Sequence, residues 1–120
     1  MSNKNLKLRT KQFALRVIKL VENLPHDMTS NVLGRQLLRA GTSVGANYRA
    51  VCRSKSPADF ISKMGTVEEE ADESGYWMEL LVDAGKVKAA KMSALLQEAG
   101  ELTAIAVSSI NTARKSQSRH

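Results

Sequence analysis

The stretch RQLLRAGTSVGANYRAVCR, residues 35–53, decides between two folds. Its GTSVGAN core, two glycines among polar residues, raises the question of a loop that wraps phosphate. Yet the positions Leu33, Leu37, Ala40, Val44, Asn47 and Val51 recur every three or four residues straight through those glycines. That recurrence is a helical seam. A phosphate loop would break its phase and would carry Lys-Ser/Thr after its last glycine, where this chain has Ala46-Asn47. The stretch therefore reads as helix. Each glycine inside it costs about 1 kcal/mol against alanine. Gly34, Gly41 and Gly45 share one flank, together with Cys52, so they read as a strip that lets another helix approach closely. That helix belongs either to the same bundle or to a neighbouring subunit.

Working outward, the same spacing appears three more times. Phe13, Val17, Leu20 and Leu24 give a helix over 10–24 that stops at Pro25. The glycine-containing helix covers 30–54, with Thr29 or Ser30 as N-cap. SPAD, residues 56–59, reads as a helix start with Ser56 at the N-cap and Pro57 at the first helical position. Phe60, Met64, Val67, Ala71, Ser74, Met78 and Leu81 then carry that helix over 57–84, and Gly85 closes it. Met92, Leu95, Ala99, Leu102, Ala106, Ser109 and Ala113 carry the fourth over 88–113, before a basic tail, RKSQSRH, expected to fray. Four long helices with short connections predict an all-α, antiparallel up-and-down four-helix bundle, one domain over residues 1–120 with flexible basic ends.

Composition bounds the function. The chain has 120 residues, a net charge of +6 and a single cysteine. Residues 1–55 hold 11 Lys/Arg and 2 Asp/Glu, residues 56–85 hold 1 and 8, and residues 86–120 hold 6 and 2. Base and acid are thus segregated, which suits internal pairing, a basic surface for nucleic acid, or both. No apolar run approaches the roughly 20 residues of a membrane span, and no signal-peptide pattern follows the basic start. A cytoplasmic protein is expected, with no cofactor and no small-molecule substrate.

Arg35, Arg39, Arg49 and Arg53 fall within about 80° of one another on a helical wheel. Two readings stand: a solvated face partly paired with the acids of helix three, or a nucleic-acid-binding surface, since guanidinium suits bidentate phosphate contacts. Asn47, on the apolar seam, reads as a register-setting polar residue. Glu70, Glu73 and Trp77 flank the core of helix three. A di-metal site of the ferritin type would require Glu-x-x-His motifs. The only histidines are His26, in a turn, and His120, at the end, so no metal is expected. Glu70 and Glu73 are instead expected to pair with arginines of helix two or of another subunit. No base accompanies Cys52 or the serines, so no catalytic residue is assigned and no enzyme is expected. Tyr76 and Trp77 read as core or interface aromatics rather than stacking platforms for bases.

QLLRAGTSVGANYRA, residues 36–50, followed by DFISKMGTVEEEADESGYWMELL, residues 59–81, resembles the four-helix-bundle proteins encoded by intervening sequences in bacterial 23S rRNA genes. The resemblance covers helices two and three closely and the others loosely. It implies an up-down bundle that assembles as a ring-shaped homopentamer. It also implies a relation to the accessory variability determinants of diversity-generating retroelements, basic pentamers that bind nucleic acid and a reverse transcriptase. No enzymatic activity is established for the family. Its motif positions map to Arg39, Ser43, Asn47, Arg49, Glu69, Glu70, Glu73 and Trp77, as structural or interface residues. Gly75 departs from the pattern, which has a larger residue there, and is expected to loosen helix three before Trp77. The resulting expectation is a non-enzymatic homo-oligomeric scaffold that binds structured RNA or an RNA–DNA hybrid. The alternative is an adaptor docking an acidic protein partner such as a reverse transcriptase.

Overall fold

The structure, a computed structural model, describes residues 3–118, with side chains from residue 5 onward. Met1, Ser2, Arg119 and His120 therefore lie outside the described residues. Four α-helices follow one another: α1 (Asn3–Glu22), α2 (Met28–Val51), α3 (Pro57–Asp83) and α4 (Ala89–Ser118). Short turns at 23–27, 52–56 and 84–88 connect them. α2 packs on α1 and α3, α3 packs on α4, and α1 and α4 touch only sparsely. The result is a four-helix bundle measuring 53 × 22 × 21 Å. As α2 ascends from Gly34 to Gly45, its neighbours on α1 descend from Leu24 through Val17 to Thr10.

One apolar cluster runs through all four helices. On α3 it comprises Met64, Val67, Ala71, Met78 and Leu81, members of the seam expected from spacing, with Ser74 buried among them. On α4 the seam holds from Met92 to Ala106, but its next member is Ile110 rather than Ser109. The Ser109 hydroxyl donates to the Ile105 carbonyl at 2.9 Å and stays half-buried. The α2 seam differs more. Tyr48, 2% exposed, takes the core position, while Asn47 is half-buried and its Nδ2 donates to the Ser43 carbonyl at 2.8 Å. α2 lies between two neighbours, so its buried arc is wider than one seam and includes Ser30, Gly34 and Gly41. Burial also pushes the Tyr48 phenol up to about 12, with a smaller contribution from Cys52 beside it.

Three helix boundaries are corrected, and that of α2 bears on the site: α2 ends at Val51, not 54, where the chain turns, so Arg53 lies past the helix. α1 begins at Asn3, not Thr10, because Leu6 and Thr10 extend the Phe13–Val17 seam by two turns and both are buried. The polar residues between them occupy only the outer face. α4 continues to Ser118, so the tail from Arg114 to Ser118 is helical rather than frayed. The N-cap of α2 is Asp27, not Thr29 or Ser30. Its Oδ1 accepts from the Ser30 N–H at 2.8 Å, and Ser30 itself is buried in the first turn. Ser56 caps α3 as expected, its Oγ accepting from the Asp59 N–H at 3.0 Å with Pro57 in the first turn. Asp59 Oδ2 accepts in return from the Lys55 N–H at 3.0 Å. Gly85 adopts φ 75 just past α3, a left-handed conformation that glycine takes without Cβ strain. α3 runs unbroken through Gly75.

The glycine strip is filled from within the chain. A Cβ on Gly34 would stand 2.9 Å from Leu24 Cδ1, and one on Gly45 would stand 3.2 Å from Thr10 Oγ1. At Gly41 both γ-carbons of Val17 would lie at 2.8 Å. Of the two readings of the strip, these distances belong to close approach of α1. No described helix is long and apolar enough to cross a membrane.

Candidate nucleic-acid interface

The outer face of α2 carries Arg35 and Arg49, and Arg53 follows in the turn just past its end. All three are exposed, and none is engaged by a carboxylate among the described residues. Arg35 and Arg49 stand 14 residues apart on the helix, about 40° apart around it and about 21 Å along its axis. Over that length a nucleic-acid duplex presents on the order of twelve phosphates. The helix brings no acid of its own to this face.

Arg39 stands apart from the other three. Its guanidinium reaches across to α3, where Nη1 donates to Glu70 Oε2 at 3.3 Å and Nη2 donates to Glu73 Oε1. The Trp77 indole N–H donates to the same Glu73 oxygen at 3.2 Å. Glu70 is only 15% exposed, so removing its cation would leave a poorly hydrated carboxylate. The pairing expected of Glu70 and Glu73 is therefore realised within the chain, with one arginine. That arginine is withdrawn from the free cationic face. Trp77 packs against the core, and Tyr76, 53% exposed, meets its ring edge-on at 5.1 Å between centroids.

A second charged contact was not legible in spacing. Arg9 on α1 forms a fork on Glu98 of α4, with Nε and Nη2 each at 2.7 Å, and Nη2 also reaches Glu101 at 2.8 Å. These bonds, that to Glu98 foremost, raise the guanidinium pKa above its usual value. Glu98 and Glu101 flank the Leu95–Leu102 seam, which places them at the rim of the core. Nothing local says which helix faces them. Lys86, in the turn before α4, reaches Asp27 at 3.3 Å and ties the two turns at that end together. Among the described residues, no group of three or more His, Cys, Asp and Glu side chains converges as metal ligands.

A family model described as 23S rRNA-intervening sequence protein matches residues 4–108. The chain belongs to that family. Among solved structures, a protein of unknown function from the S23 ribosomal protein family of Bacteroides thetaiotaomicron superposes with a TM-score of 0.85 at 32% identity. The match covers 92% of this chain and 99% of the other. Comparison with curated proteins gives no match. The two matches agree with the sequence resemblance in family and in four-helix fold.

Proposed function

We propose that this 23S rRNA-intervening sequence family member is a non-enzymatic, cytoplasmic scaffold that binds structured RNA or an RNA–DNA hybrid. The observation that carries this reading is the set of free, exposed arginines Arg35 and Arg49 on α2 and Arg53 in the turn past it. Phosphate contacts of this kind fix a protein on a helix without reading its sequence. In the proposed assembly, antiparallel up-and-down bundles close into a homopentameric ring. Repeating one face around a ring multiplies its field at a polyanion, so three arginines per subunit become a substantial surface.

The direct test is titration of nuclease-treated protein into labelled ribosomal-RNA stem-loops, RNA–DNA hybrid and duplex DNA at several salt concentrations. Tight binding with a steep salt slope is expected for the first two. Replacing Arg35 and Arg53 with Glu is expected to abolish most of it without changing the helical circular dichroism. Unchanged affinity in that variant overturns the assignment of the face. A monomer mass by light scattering removes the ring.

A further inference from the structure

The seam between α1 and α4 has two electrostatic halves. In one, Arg9 is neutralised by Glu98 and Glu101. In the other, Arg16 and Lys19 of α1 stand opposite Lys88 and Lys91 at the start of α4, and the helices part around a groove of about 660 Å³. Among the described residues, no carboxylate lines this groove. Those four cations are exposed and engaged by no acid among the described residues. Lys86, at one end, is held by Asp27. Facing rims of like charge repel each other and leave the groove open. Its floor is apolar: Leu20, Leu24, Val87 and Leu95.

The occupant that uses both features is anionic at its flanks and apolar along its middle. A phosphodiester backbone would engage the rims and leave the leucine floor unused. A stacked base would call for an aromatic platform, and the lining contains none. The chain's own acidic face, Glu69, Asp72, Glu79 and Asp83 on α3, exposes one large apolar side chain, Tyr76, and no stripe to fill the floor. An amphipathic helix fits, since such helices lay their apolar stripe into grooves between two others. The α1 wall from Arg16 to Leu24 spans about 12 Å, or two to three turns of a docked helix.

We propose that the groove between the end of α1 and the start of α4 docks an acidic amphipathic helix of a partner protein. The site is distinct from the α2 arginine face and stands or falls separately from nucleic-acid binding.

The test uses the full chain and a fluorescein-labelled helical peptide of about sixteen residues, leucines along one face and glutamates on both flanks. A scrambled peptide of the same composition and a labelled RNA stem-loop serve as comparisons. The amphipathic peptide is expected to bind about tenfold or more tightly than the scrambled one. Lys88→Glu with Lys91→Glu is expected to cost about tenfold. Both positions are exposed, Lys88 just before α4 and Lys91 in its first turn, where acid near a helix start is favourable, so the fold is retained. Ala94→Trp fills the groove from an exposed position without changing charge. It is expected to weaken the peptide and spare the stem-loop. Equal binding of the scrambled peptide overturns the proposal. So does an Ala94→Trp variant that loses the stem-loop instead, which would make the groove a phosphate site. A fall in light-scattering mass in that variant would assign the groove to a second copy of this chain, and overturns it as well.

Discussion

The Cβ that Gly41 lacks would lie 2.8 Å from both γ-carbons of Val17. Both methyl-bearing branches of the valine face α2, so no rotation of its stiff χ1 withdraws them together. Gly41→Ala is therefore expected to destabilise the protein. Overpacking of about 1–3 kcal/mol outweighs the gain of about 1 kcal/mol in helix propensity. Gly100 is the contrast: it is exposed on α4 with nothing within 4 Å of its Cβ position. Gly100→Ala is expected to stabilise by about 0.5–1 kcal/mol. Urea unfolding of both variants checks the pair. In a double-mutant cycle, Val17→Ala should relieve part of the Gly41→Ala penalty. Additive costs would mean the two residues do not meet.

How far these relationships can be read in the sequence depends on whether they are local. Ser56, Pro57 and Gly85 announce the ends of α3 within a few residues, and the Met64–Leu81 seam follows from spacing alone. The glycines inside α2 announce that something comes close, but not what. Identifying Val17 as the neighbour requires the register of α1 on α2, which no local pattern encodes. Tyr48 was missed because a seam counted in threes and fours passes through Asn47, one residue away. Only the second neighbour of α2 widens the buried arc enough to include the phenol. Arg9 with Glu98 and Glu101 was missed for the same reason as Val17: the contact crosses from the first helix to the last. The four arginines of α2 looked equivalent on a wheel, and α3 distinguishes Arg39 from the rest.

On the proposed function, that distinction predicts a stability role for Arg39 and a binding role for Arg35. Arg39→Gln leaves Glu70 and Glu73 without their cation and is expected to lower stability by about 1–2 kcal/mol. The estimate stays below that for a fully buried pair because Arg39 itself is 49% exposed. Arg39→Gln is expected to weaken stem-loop binding less than Arg35→Gln does. Conversely, Glu73→Gln partly releases the guanidinium and removes a negative charge beside the face, so it is expected to strengthen binding and steepen the salt slope. Fluorescence anisotropy at two salt concentrations, with urea midpoints in parallel, measures both quantities. Equal losses of affinity for the Arg39 and Arg35 variants would return Arg39 to the cationic face.

Acid sensitivity traces to the capping carboxylates. Asp27 is held below the ordinary carboxylate range by the Ser30 N–H, and Asp59 by the Lys55 N–H and then the Lys63 ammonium. Glu101 is lowered by the Gln97 amide and then by Arg9. A carboxyl whose pKa is depressed by folding contributes stability that is present above its unfolded value. That contribution is lost as pH falls through the folded value. The urea midpoint is therefore expected to stay level from neutral pH down to about 5 and to fall below about 4, where unfolded Asp and Glu take up protons. Asn is an adequate N-cap at position 27, and at position 59 its side-chain oxygen can still accept from the Lys55 N–H, but it does not titrate. Asp27→Asn with Asp59→Asn should thus fold at neutral pH with a modest loss and show a shallower acid limb than the parent. An acid limb of unchanged steepness in the double variant would place the sensitivity elsewhere, with Glu101 at the Arg9 clamp as the next residue to replace.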